Sequence, residues 1–155
     1  MRGFTIFSLL FLINIFVLVE SKTFHFSFYV HLSCRAPNLD SFGYSVQFFD
    51  KDVVWPNGPD EITQPYIDHS PVPNADFKVT GVMSGDEIWS DYFDVKAVLY
   101  HTCNKEKKET EVTMHLRPLF EIGKLPDGKY YQYYLTEDVT ELSGELVHEG
   151  KLVQN

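Results

Sequence analysis

The stretch TFHFSFYVHLSC, residues 23–34, decides the fold. Phe24, Phe26, Phe28, Val30, Leu32 and Cys34 alternate with His25, Ser27, Tyr29, His31 and Ser33. A strict period of two describes a β-strand with one buried face, and it turns the Cys34 sulfur toward the core. The opposite row, His25, Tyr29 and His31, becomes a candidate surface, and histidines there would make binding sensitive to mild acid.

A second long run, YFDVKAVLYHTC at residues 92–103, repeats the pattern. Phe93, Val95, Ala97, Leu99, His101 and Cys103 share one face, while Asp94, Lys96, Val98, Tyr100 and Thr102 make a mixed, half-exposed one. The chain has two cysteines in all, and both point inward at the ends of these strands. Upstream, MRGFTIFSLLFLINIFVLVESK carries one arginine, an apolar core from Phe4 to Val19 and small residues at its end. That layout predicts a secretory signal peptide over residues 1–21, with cleavage after Ser21. The apolar run falls short of the roughly 20 residues that span a bilayer. Export implies an oxidising compartment, where an even cysteine count predicts one disulfide, Cys34–Cys103. The loop it closes, about 70 residues, corresponds to roughly 4 kcal/mol in the chain-entropy model. The bond is expected to join strands of opposing sheets.

The remaining residues, 22–155, suit a single domain. YSVQFFD at 44–50 is a further strand, with Tyr44, Val46 and Phe48 on one face. Residues 51–74 contain five prolines and read as a long surface connection, with one short edge strand near Glu61 to Thr63. ADFKVTG at 75–81 reads as a short strand, MSGDEIWSDY as a loop, and NKEKKE as a charged hairpin turn leading into TEVTMHL, an antiparallel return strand. The PDG at 126–128 is a turn signal; KYYQYYL and DVTELSGELVHEGKLV supply the last strands. Helical periodicity is absent, and aromatic and β-branched residues fill the apolar positions. The expected fold is an all-β, two-sheet antiparallel sandwich of immunoglobulin-like or transthyretin-like type.

The order of these segments resembles the nematode transthyretin-like family. The likeness rests on a strand ending in Cys34, VQFFDKD at 46–52, DFKVTG at 76–81, VKAVLYHTCN at 95–104 and EVTMHLRPLF at 111–120. It covers roughly residues 24–142 and implies an extracellular transthyretin-type sandwich. Two departures stand out. Many members carry a second cysteine pair, and NKEKKETEV contains none; PNADF lacks the glycine of the usual D-x-x-G-x-F turn. Transthyretin-fold enzymes that hydrolyse 5-hydroxyisourate need clustered His and Arg groups and a closing Tyr-Arg-Gly-Ser tail. This chain ends GKLVQN and has only Arg35 and Arg117 after the leader, so that catalytic pattern does not transfer.

Other chemistry is weighed against plainer readings. A metal site or a Cys–His nucleophile built on His101 and Cys103 needs a free thiolate, which a disulfide removes. His25 and His31 face away from Cys34 and cannot join it. His101 is better read as a hydrogen-bonded core histidine beside the disulfide. Asp50, Asp52, Asp60 and Glu61 lack the calcium-loop spacing and read as a turn. A net charge of −9 offers no basic surface for nucleic acid. Lys105, Lys107 and Lys108 could touch a lipid headgroup but read as a solvated hairpin. No Asn-x-Ser/Thr sequon is present.

KYYQYY places Tyr130, Tyr131, Tyr133 and Tyr134 on both faces of one strand, two of them expected outside as amphipathic contact area. The sequence does not say which two. The resulting expectation is a secreted, non-enzymatic binding module without metal or cofactor. Its partner would be an extracellular protein, a cell-surface receptor or a lipid headgroup. A carrier of a small hydrophobic ligand is the alternative.

Overall fold

The computed structural model describes residues 22–51, 58–85, 91–122 and 129–154. The predicted signal peptide, Asp52 and the PDG turn lie outside these residues. Among the described residues twelve strands follow in order: β1 (Lys22–Ser33), β2 (Ser41–Asp50), β3 (Asp60–Glu61), β4 (Tyr66–Pro71), β5 (Asn74–Gly85) and β6 (Tyr92–Phe93). They continue as β7 (Val95–His101), β8 (Thr110–Arg117), β9 (Phe120–Glu121), β10 (Lys129–Asp138), β11 (Gly144–Glu149) and β12 (Lys151–Gln154).

Two sheets stack on their apolar faces, as the alternation requires. The first runs β12-β10-β1-β5; the second runs β11-β8-β7-β2-β3, with β4 also paired to β2. The inward residues of β1 are all buried, and so are those of β2 and β7. Phe28 of β1 stacks on Phe48 of β2 with ring centroids 3.7 Å apart, so the sheets meet ring against ring. Around this centre Phe26, Phe93, Phe120 and Tyr131 pack edge-on, stacked or tilted at centroid distances of 5.0–6.1 Å. Aromatic pairs in such geometries add about 0.5–1.5 kcal/mol each beyond area burial.

The all-β sandwich is as expected, with a qualification about strand direction. β1 pairs with β10 in parallel, and β8 with β11 likewise; the other pairings are antiparallel. Alternation marks which face is buried and carries no information on the direction of the neighbour.

Three segment boundaries also differ. Residues 66–71, expected to be surface connection, form β4 along β2. Its prolines sit where an edge strand tolerates them: Pro65 just precedes it and Pro71 closes it. Residues 75–81 extend into the twelve-residue β5, which pairs with the whole of β1. The run 92–103 breaks at Asp94. The Asp94 N–H donates to the Asp50 carboxylate at 2.8 Å, and the Asp94 carbonyl accepts from the Lys51 N–H at 3.0 Å. The Asp94 carboxylate in turn receives Arg117 at 2.9 Å. Asp50, one of the acidic residues weighed for calcium, is therefore a buried fastener of this bend.

The disulfide joins Cys34 to Cys103 with Cα atoms 5.8 Å apart, and ties the end of β1 to the end of β7 across the two sheets. Both halves are fully buried. At Gly81 a methyl group would run into the Ile62 carbonyl, so close passage of β5 over the β3–β4 connection requires glycine there.

Candidate functional site

The register of the parallel pair β1–β10 builds the site. His25 lies opposite Tyr130, Ser27 opposite Gln132, Tyr29 opposite Tyr134 and His31 opposite Thr136. Parallel in-register pairing brings outward side chains of adjacent strands, about 4.8 Å apart, into direct alignment. His25 and Tyr130 stack at 4.7 Å with planes 15° apart, and Tyr29 and Tyr134 stack at 4.9 Å with planes 11° apart. The two candidate surfaces of the sequence, the outward row of β1 and the tyrosines of β10, thus form one surface.

Burial settles which tyrosines belong to it. Tyr130 is 55% exposed and Tyr134 39%, whereas Tyr131 and Tyr133 are 1% and 0%. The inner pair is fixed by its hydroxyls as well as its rings. Tyr131 donates to the Glu121 carbonyl at 2.7 Å. The Tyr133 hydroxyl lies 2.9 Å from the Arg117 carbonyl, 3.1 Å from the His148 carbonyl and 2.9 Å from His148 Nδ1. Burial raises the pKa of both phenols far above the ordinary tyrosine value.

The flanking strands complete the outer face. Lys78 of β5 lies opposite Tyr29 and holds its ammonium 5.1 Å from that ring; Lys151 of β12 lies opposite Tyr134, 5.6 Å from its ring. One row across four strands therefore reads Lys78, Tyr29, Tyr134, Lys151, a cation at each end of two stacked rings. Contacts of this kind contribute about 0.5–1 kcal/mol each at exposed sites. One turn of the pleat further, Asp76 receives His31 Nδ1 at 2.7 Å. Between the two ring stacks lies the row Thr80, Ser27 and Gln132, closed on β12 by the half-buried Val153. The stacks are four residues apart along β1, or roughly 13 Å.

His101 stands elsewhere. It is 1% exposed; its Nε2–H donates to the Leu142 carbonyl at 2.9 Å and its Nδ1 accepts the Cys103 N–H at 3.1 Å. Burial lowers its pKa, partly offset by the Leu142 bond. It is the hydrogen-bonded core histidine expected from its position, and Cys103 has no thiolate to offer. Among the described residues, no three His, Cys, Asp or Glu side chains are placed to share a metal ion. Lys105, Lys107 and Lys108 are exposed on the β7–β8 turn, where Lys108 pairs with Glu106 at 2.7 Å.

The opposite sheet has a different exterior. A shallow groove of about 190 Å³ is lined by Gly43, Ser45, Ile67, Tyr100 and Glu109 among others. Its surroundings are acidic: Glu111 hydrogen-bonds the Tyr100 phenol and raises its pKa.

Sequence reasoning singled out His25, Tyr29, His31 and the four tyrosines, and missed Lys78, Lys151 and Asp76. Their outward parity on DFKVTG and GKLVQ was readable; their placement beside the rings needed the register.

The fold and this face define an all-β sandwich with one disulfide and an exposed aromatic, lysine-flanked sheet. No family model and no curated protein matches the sequence. A solved structure described as "a putative cell adhesion protein from Bacteroides ovatus" aligns over 88% of this chain at 11% identity, with a TM-score of 0.28. The chain spans 44% of that protein's length, a likeness too slight to bear on fold or role.

Proposed function

We propose that this chain is a secreted, non-enzymatic binding module of the transthyretin-like type. It engages an extracellular protein, a cell-surface receptor or a lipid headgroup through the outer face of β12-β10-β1-β5. The observation that carries the reading is the β1–β10 register, which assembles His25, Tyr29, Tyr130 and Tyr134 into two exposed ring stacks. Aromatic rings are enriched at interfaces because they offer large contact area at low entropic cost. The inner tyrosines satisfy the core without help from the outer ones, so the outer ones are free to serve a partner. The signal-like leader and the disulfide support an extracellular setting. The transthyretin-like assignment rests on the order of the sequence motifs.

The carrier reading has less support. Sheets in ring-to-ring contact at 3.7 Å leave the centre filled, and the surface groove, about 190 Å³, is smaller than the roughly 300–1,000 Å³ of typical ligand sites.

The test is capture of the secreted protein on intact cells. Tyr29→Ala/Tyr134→Ala should abolish capture, while Ile67→Ala on the other sheet should leave it unchanged. Equal capture of all three proteins would show that this face does not bind the partner.

A further inference from the structure

We propose that the partner chemistry read by this face is an acidic glycan, a saccharide chain bearing uronate or sulfate groups. The proposal rests on the reading of β12-β10-β1-β5 as the binding face and names what that face selects. Three features carry it.

The first is the pattern of rings. Two flat stacks, His25 on Tyr130 and Tyr29 on Tyr134, stand roughly 13 Å apart on an open sheet. Tyr29 and Tyr134 face each other and carry Lys78 and Lys151 over their other sides, so this stack offers ring edges and phenol hydroxyls to a saccharide, and an extended oligosaccharide can bridge both stacks. The second is what separates the stacks. Thr80, Ser27 and Gln132 supply hydroxyl and amide groups able both to donate and to accept, as a ring of sugar hydroxyls demands. A membrane-inserting surface would instead present more aliphatic side chains. The aliphatic side chains on this face among the described residues are Val82, opposite His25 and 55% exposed, and the half-buried Val153, opposite Gln132.

The third is charge. The molecule carries a net −9, yet the row through Tyr29 and Tyr134 ends in Lys78 and Lys151 and contains no carboxylate. Among the described residues two acids share this side of the sheet, Asp76 bonded to His31 and Asp138 to Thr140 at 2.6 Å with Arg35 at 3.7 Å, and both lie outside the row that Lys78 and Lys151 close. Each lysine has ammonium protons left to donate beyond its contact with the ring. Two cations flanking two rings select for an anionic ligand, and the acidity elsewhere repels that ligand from other surfaces.

The experiment measures binding of the secreted protein to a heparin oligosaccharide, a hyaluronan oligosaccharide, a neutral chito-oligosaccharide, and vesicles of phosphatidylcholine with phosphatidylserine. The expected result is binding to one or both acidic saccharides, weakening as salt is raised. Heparin alone would assign sulfate; hyaluronan would assign carboxylate. Lys78→Gln/Lys151→Gln should reduce affinity at least roughly tenfold, and Tyr29→Leu should do so with unchanged thermal unfolding. Failure to bind either acidic saccharide, equal binding of the neutral one, or binding only to vesicles would overturn the proposal. Capture on cells treated with glycosaminoglycan lyases separates the two levels. If capture survives the enzymes but is lost in Tyr29→Ala/Tyr134→Ala, the glycan is wrong and the face is right. If capture ignores the tyrosines, the face itself is wrong.

Discussion

Within the single strand β10, four tyrosines divide into two kinds. Tyr131 and Tyr133 point inward, pack against Phe26 and Phe120, and hand their hydroxyls to carbonyls. Tyr130 and Tyr134, each a neighbour along the chain, point outward and stack on His25 and Tyr29. The residue type is constant and the surroundings decide its role. An inner ring is worth its packing and its satisfied hydroxyl; an outer ring contributes little to stability and keeps its surface for something else.

The sharpest way to break this division is to truncate one ring of each kind. Tyr133→Ala should lower unfolding free energy by about 3–5 kcal/mol in a denaturant titration, because it opens a cavity and orphans polar groups. A loss below 1 kcal/mol would show that the inner ring is not the anchor described. Tyr133→Phe keeps the ring and removes the hydroxyl shared by the Arg117 and His148 groups, with an expected cost of about 1–3 kcal/mol.

The next effects come from pH. The inner phenols have raised pKa values in the folded chain, so the unfolded chain loses protons first as pH climbs. Their contribution is intact below about pH 10 and declines above it, and thermal melts should fall steeply there. His101 shifts the other way. Its pKa is lowered on folding, so the unfolded state binds the proton more readily. Stability should fall as pH drops below about 6.5, and His101→Gln should flatten that slope. Asp138, whose carboxylate is held down chiefly by the Thr140 hydroxyl, acts in a separate and lower window, below about pH 4.

The smallest expected effect is Tyr134→Ala on stability, within about 0.5–1 kcal/mol, the sum of a surface change and a lost cation–π contact. A larger loss would mean that the outer stack helps hold the sheet together.

Much of the architecture could be read from residues alone because it rests on local alternation. TFHFSFYVHLSC announces β1, and the inward parity of Cys34 and Cys103 announces their bond. His101 as a core histidine followed from the same parity. The segments that escaped have physical reasons. β4 alternates nothing: four of its six residues are exposed and the other two half-buried, so no period exists to detect. Asp94 interrupts β7 through a contact with Asp50, 44 residues away, which no window spans. The site was legible as two fragments. Joining them required knowing that β1 and β10, about a hundred residues apart, run parallel with His25 opposite Tyr130. Nor could KYYQYY reveal its own inside, since tyrosine serves either face.

The disulfide can also be viewed as a mechanical part. A tug on the outer rings of β1 enters the sheet through a strand clasped on both sides, by β5 and by β10. From there the load runs in shear along two ladders until it reaches Cys34, where a covalent bond passes it to Cys103 and so into the opposite sheet. At the other end of β1 Phe24 packs edge-on against Phe93 with centroids 5.0 Å apart, far from the covalent tie. Tension therefore has a stiff end and a yielding end, and a tether pulling toward the N-terminal end of β1 would peel the sandwich more readily than one pulling toward the bond.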